Sequence, residues 1–298
     1  MPPVADLLGR ATEGFIDVPD GKVWYQSVGE GEPLLLLHGG PGAGSTYLER
    51  LMSLAESGFQ VVRYDQLGCG KSEQPDDPSL WTVDHFVKEV DVVRETLGFE
   101  KMHVIGQSWG SFLALEYALT YPERLQTVTL YSGAASTMQC FEGMTRLRHQ
   151  LPAEIVDRLQ QYEDAGDYEH PQYLADIQIL LDHHLCRVQP WPDELVRSME
   201  DMGTSVYNTM WGPNEFTLTG NLTSWDRRDR LGEIETPALI VCGRYDEVVP
   251  ECSETMHAGI NGSRLKIFEA SSHLCHMEEP EQYFPLQISF LNEHPISA

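Results

Sequence analysis

Positive charge is what this sequence has least of. Only 20 Lys and Arg stand against 46 Asp and Glu, a formal charge of −26 at pH 7 over 298 residues. Nucleic-acid binding needs a basic stripe to neutralise phosphates, and no such stripe is visible, so that class is excluded. The same balance argues against docking on an anionic membrane surface. Long hydrophobic runs are missing too: Leu34 to Leu37 is far too short to span a bilayer. The opening MPPVADLLGR has no basic segment followed by an apolar core, so no signal peptide is expected. Paired cysteine motifs are also absent. Cys69, Cys140, Cys186, Cys242, Cys252 and Cys275 are scattered, with no CxxC. They read as free, buried thiols in a reducing compartment, and the expected location is cytoplasmic. The sequons at Asn221 and Asn261 are then idle.

What is present is ordinary globular composition, 41% apolar and 22% charged, with enough chain to bury a substantial core. Lys22–Ser27, Pro33–Leu37, Gln60–Tyr64, Met102–Ile105 and Leu125–Leu130 read as strands. Between them, Thr82 caps a helix whose stripe is Phe86, Val90, Val93 and Leu97, ending at Gly98. Trp109–Leu119 is helical as well. This alternation predicts an α/β fold with a mostly parallel sheet covered on both faces. From about Met138 to Arg230 helical patterns dominate; then Ala238–Cys242, Leu265–Phe268 and a helix over Pro280–Leu291 resume the first pattern. The expected organisation is a core of 1–137 and 231–298 with a helical cap, 138–230, inserted.

Gly106-Gln-Ser108-Trp-Gly110 lies between a strand and a helix. A turn that tight leaves no room for side chains at either glycine. It strains the serine and exposes its hydroxyl, the geometry of a nucleophile elbow. A serine nucleophile needs a base, and the base needs an orienting acid. Asp246 follows the Ala238–Cys242 strand and His273 follows Leu265–Phe268, which gives the order and positions this architecture requires. His257 falls in a helix and His294 in the tail; His276 should point elsewhere, and Asp182-His183-His184 reads as cap surface. The loop His38-Gly39-Gly40-Pro41-Gly42 after the Pro33–Leu37 strand suits oxyanion donation, assigned to the N–H groups of Gly40 and Trp109.

Two other patterns fail. Gly68-Cys69-Gly70-Lys71-Ser72 looks like the end of a phosphate-binding loop, but Asp65 stands where the first glycine is required and no helix follows. His273-Leu-Cys275-His276 has no partner cluster for a metal. Neither a metal nor an organic cofactor is expected. In TMWGPNEFTLTG (209–220), Glu215 sits between a turn and an aromatic, with a short strand possible at Phe216–Leu218. It is either a solvated loop carboxylate or a group placed to meet a cation.

Together, HGGPG at 38–42, DQLGCGKS at 65–72, GQSWGS at 106–111, GRYDEVVP at 243–250 and SSHLCHMEEP at 271–280 resemble α/β-hydrolases of the proline iminopeptidase type. WGPNEF strengthens the resemblance, which is especially to tricorn-interacting aminopeptidases and their bacterial relatives. The resemblance implies an α/β-hydrolase fold and removal of an unblocked N-terminal residue, often proline, from short peptides or aminoacyl amides. It also implies that Glu215 and Glu247 bind the free amine, which is largely protonated at neutral pH. An amidase or esterase on the same fold, or a receptor that keeps the pocket, shares most of these motifs. Epoxide hydrolases and haloalkane dehalogenases use an aspartate at the elbow, so Ser108 counts against both.

Overall fold

The computed structural model describes residues 4–296. A short helix, α1 (Val4–Leu8), precedes eight strands that form one sheet: β1 (Thr12–Val18), β2 (Gly21–Val28), β3 (Glu32–Leu37), β4 (Phe59–Tyr64), β5 (Met102–Gln107), β6 (Leu125–Tyr131), β7 (Ala238–Gly243) and β8 (Arg264–Phe268). Their order is β1-β2-β4-β3-β5-β6-β7-β8. The β1–β2 and β2–β4 pairs are antiparallel, and every later pair is parallel. In β3, Leu34 to Leu37 are fully buried, as expected of a strand with helices on both faces. The first strand was not anticipated. TEGFIDV buries only Ile16 and Val18 and leaves Phe15 58% exposed, so the edge strand carries little alternation to read.

Helix α2 (Val83–Thr96) begins where Thr82 accepts a hydrogen bond from the His85 N–H at 3.3 Å, and it buries Phe86, Val90 and Val93 against the sheet. Helix α3 (Trp109–Thr120) is buried over almost its whole length. Between β6 and β7 the chain forms α4 (Thr137–Arg148), α5 (Ala153–Ala165), α6 (Pro171–His184), α7 (Asp193–Glu200) and α8 (Thr204–Met210), the helices of the cap region. Phe216–Leu218 is not a strand; the segment holds one isolated bridge, Asn214 to Thr217. After β7 come α9 (Pro250–Gly259), α10 (Cys275–Glu278) and α11 (Pro280–Asn292). All six cysteines are free and buried. Among the described residues no helix is long and apolar enough to cross a membrane.

The DQLGCGKS segment is a closed structural turn. Ser45 donates to Asp65 Oδ1 from its N–H (2.7 Å) and its hydroxyl (2.6 Å), and the Lys71 N–H donates to Oδ2 at 2.9 Å. Beneath it lies Glu89 on α2, 1% exposed, whose Oε2 accepts the Leu67 N–H at 3.1 Å. Burial pushes the Glu89 carboxyl up to about 8, with the Leu67 N–H offsetting part of the effect. The folded chain therefore binds a proton that the unfolded chain releases above its ordinary value of 4.5. The associated stability is full below that value and is lost as pH rises through about 8. Glu89→Gln should gain about 1–3 kcal/mol on the wild type between pH 5 and pH 8. Parallel urea-unfolding curves of stability against pH for the two proteins would refute this.

Candidate active site

Strand β5 runs straight into α3, and Ser108 is the hinge. Its φ of 58° and ψ of −125° lie outside the ordinary regions for a residue with a side chain. The conformation is held from several sides. Its N–H donates to the Tyr131 carbonyl at 2.9 Å, continuing the β5–β6 ladder. A Cβ at Gly106 would lie 2.0 Å from the Gly110 carbonyl oxygen, and one at Gly110 would lie 2.1 Å from that of Leu37. The half-buried Ser108 lines a cavity of about 550 Å³ with Gly40, Tyr207, Glu215, Glu247 and His273. Sequence-distant candidates thus converge on one space.

His273 is 2% exposed, and its Nδ1–H donates to Asp246 Oδ1 at 2.6 Å. The same oxygen accepts the Val248 N–H at 2.9 Å, which fixes the carboxylate at the end of β7. Nδ1 being committed, Nε2 is the nitrogen left for a reacting proton. It lies 3.7 Å from Oε1 of Glu247, which is 3% exposed and whose Oε2 has no partner. Burial works against an imidazolium here, but Asp246, Glu247 and Glu215 outweigh it and hold His273 up at about 9.

Glu215 reaches the cavity from the cap region. Asn214 forms an Asx turn by accepting the Phe216 N–H on Oδ1 at 2.8 Å, and Trp211 Nε1 donates to the Glu215 carbonyl at 3.0 Å. Its Oε2 accepts the Tyr207 hydroxyl at 2.5 Å. Burial raises the pKa of both glutamates; for Glu247 the neighbouring charge of Glu215 adds to it. Glu215 is therefore half-buried and held by Tyr207 at the cavity wall.

Trp109 opens α3, so its N–H is among those a helix leaves without an internal acceptor. Its indole donates to Gln66 Oε1 at 2.9 Å. Gly40 has φ 109°, and a Cβ there would lie 2.4 Å from the Gly42 nitrogen. The loop's His38 is a brace: its Nδ1–H donates to the Gly39 carbonyl, and its Nε2 accepts the Gln66 N–H, both at 2.9 Å. A second, smaller cavity of about 300 Å³ also meets Gly40, Ser108 and Glu215, and is walled by Pro41, Trp109, Phe112, Trp211, Leu222 and Val248.

The other histidines are placed differently. His276 is fully buried, with Nδ1 accepting from the Tyr131 hydroxyl (2.9 Å) and Nε2 donating to the Tyr47 carbonyl (3.1 Å); burial lowers it to about 4. His257 sits exposed on α9. His184 is more than cap surface: its Nδ1–H donates to the Tyr245 carbonyl at 2.7 Å, and its own carbonyl accepts the Glu247 N–H at 3.1 Å. It ties α6 to the loop that carries Asp246 and Glu247.

Sequence reasoning missed three polar residues. Tyr207, on α8, has no signal marking it as the partner of Glu215. Tyr47 and Gln107, at the end of β5, link the Gly39 loop to the His273 loop: the Gly39 N–H donates to the Tyr47 hydroxyl (2.7 Å), which donates to Gln107 Oε1 (2.5 Å), and Gln107 Nε2 donates to the His273 carbonyl (3.2 Å). A polar residue at the buried end of β5, next to Ser108, was the available clue.

Comparison with known proteins agrees with this architecture. A family model described as "alpha/beta hydrolase fold" matches residues 32–280. The proline iminopeptidase of Heyndrickxia coagulans is 38% identical over 285 residues, covering 94% of this chain and 99% of the relative. That of Thermoplasma volcanium is 36% identical over 292 residues, 96% and 99% of the two chains. The crystal structure of proline iminopeptidase from Mycobacterium smegmatis superposes with a TM-score of 0.88 at 35% identity, covering 95% of this chain and 98% of that one. Identity at this level over nearly the full length, on the same fold, places the chain in the proline iminopeptidase family of α/β hydrolases.

Proposed function

We propose that this protein is a serine aminopeptidase that releases the N-terminal residue, with proline preferred, from short peptides. The observation that carries the reading is a pair of carboxylates, Glu247 buried and Glu215 half-buried, facing the cavity of Ser108 and His273. Among the described residues neither forms a salt bridge to Lys or Arg. Two enclosed carboxylates that share only the His273 ring as a cationic neighbour leave room for a second positive charge, and a substrate ammonium supplies it. The relatives named proline iminopeptidase support the same substrate class.

In this reading the ammonium docks on Glu215 and Glu247, which puts the scissile carbonyl one residue from the anchor. The proline ring is directed toward the aromatic wall of Trp109, Phe112 and Trp211, while the rest of the peptide leaves through the larger cavity. Ser108 Oγ attacks the carbonyl carbon and its proton passes to His273 Nε2. Asp246 fixes the imidazole and stabilises its charged form. The Gly40 N–H, on the loop after β3, and the Trp109 N–H, at the N-terminus of α3, meet the oxyanion. His273 then protonates the leaving amine, and water hydrolyses the acyl-enzyme by the same route. Nothing in these steps calls for a metal or an organic cofactor. We take residues 138–230 as the cap that closes the far end of the amine site and so limits the enzyme to chain ends.

A panel of prolyl p-nitroanilides with free and acetylated amines tests this. Glu215→Ala and Glu247→Ala should each lower kcat/KM on the free-amine anilide by about 1.5–3 kcal/mol, or roughly 10- to 150-fold. Equal losses on the acetylated anilide would show that neither residue reads the amine.

A further inference from the structure

The nitrogen that must accept the Ser108 proton faces a carboxylate instead of open solvent. His273 Nδ1 is committed to Asp246, and Nε2 lies 3.7 Å from Glu247 Oε1. Glu247 is enclosed, and its second oxygen is unpartnered. Building on the aminopeptidase reading, we propose that Glu247 keeps His273 protonated in the free enzyme and that the substrate's ammonium, by pairing with Glu247 and Glu215, releases Nε2 to act as the base. The amine is then both anchor and activator.

The surrounding charges favour this exchange. Asp246 and Glu247 face His273 from the loop after β7, and Glu215, bonded by Tyr207, faces it from the cap region. On α10, His276 is held neutral by burial, which also keeps the thiols of Cys140, Cys242, Cys252 and Cys275 protonated. Arg244 on the loop after β7 is engaged by Glu269, 2.8 Å from its Oε1, and burial lowers the pKa of His184 on α6, so neither supplies these carboxylates with a strong cation. An arriving ammonium adds one positive charge, and the Nε2 proton leaves to water, so the charge of the site is unchanged. By linkage, each cation weakens the hold of the carboxylates on the other. A substrate without an amine leaves the imidazolium paired with Glu247 and Ser108 without a base near neutral pH. Glu247 thereby enforces specificity on turnover as well as on binding.

The test compares p-nitrophenyl acetate, which carries no amine, with the free-amine prolyl anilide across neutral to alkaline pH. The Ser108→Ala rate is subtracted as background. For the wild type, ester kcat/KM should rise with an apparent pKa near 9. Glu247→Gln should lower that midpoint by about one unit and raise ester turnover at pH 7 about tenfold, while weakening use of the anilide. A second readout needs no variant: wild-type kcat on the anilide, which reports the complex, should titrate at least about one unit below the ester profile. Coincident midpoints for the two substrates, or a Glu247→Gln ester profile that is unshifted and weaker, overturn the proposal. If free-amine preference persists alongside coincident midpoints, only the activation step fails. Loss of that preference sinks the aminopeptidase reading itself.

Discussion

Ser108→Ala should reduce prolyl p-nitroanilide turnover by on the order of 10⁵- to 10⁶-fold and leave the fold intact. The chemical half follows from the proposed covalent step, since no other hydroxyl in the cavity sits on the hinge between β5 and α3. The structural half follows from the backbone. Serine and alanine both carry a Cβ, so the strain at φ 58° is the same in either protein. The N–H bond to Tyr131 survives, and the lost hydroxyl belongs to a half-buried position facing a cavity. A melting temperature close to the wild type with turnover at background is the expected pair of results. Turnover within tenfold of the wild type would remove Ser108 from the mechanism.

The largest effect on stability should come from Gly110→Ala. The added methyl would lie 2.1 Å from the Leu37 carbonyl oxygen and 2.6 Å from its carbon, both backbone atoms of a fully buried central strand. Neither can turn aside as the end of a flexible side chain can. Relief requires α3 to move off β3, which also displaces the Trp109 N–H from Ser108. Overpacking against rigid backbone should cost about 3 kcal/mol or more and lower Tm by roughly 5 °C or more. Gly232→Ala, with no atom within 4 Å of the added methyl, is the matched control and should be near neutral. A Gly110→Ala protein as stable as that control would show that the elbow is looser than its contacts require.

Much of this molecule was legible in the linear sequence because the relevant signals are local. The run Leu34 to Leu37 marks a central strand through uninterrupted apolarity, and the α2 stripe marks a helix through its period. Gly106-x-Ser108-x-Gly110 marks a strained turn through the two residues that lack a Cβ. Those patterns predicted an α/β fold with a mostly parallel sheet and a helical insertion, and the resemblance carried by the longer motifs implied the α/β-hydrolase fold. The order of acid and base after the serine nominated Asp246 and His273. The edge strand β1 escaped because Thr12–Val18 is half exposed and its polar residues blur the alternation.

Other features were settled only by tertiary packing. How far Glu215 is withdrawn from solvent was open in the sequence, because nothing within a few residues of it decides its surroundings. Its half-buried position and the bond from Tyr207 on α8 come from the packing of the cap region. The approach of His273 Nε2 to Glu247 joins two loops 26 residues apart in the chain. The Tyr47–Gln107–His273 brace joins loops farther apart still. The sequence by itself determined which backbone could form and which side chains could react. The tertiary structure decided which charges face one another, since Coulomb and desolvation effects depend on distance in space and on burial, and chain spacing encodes neither.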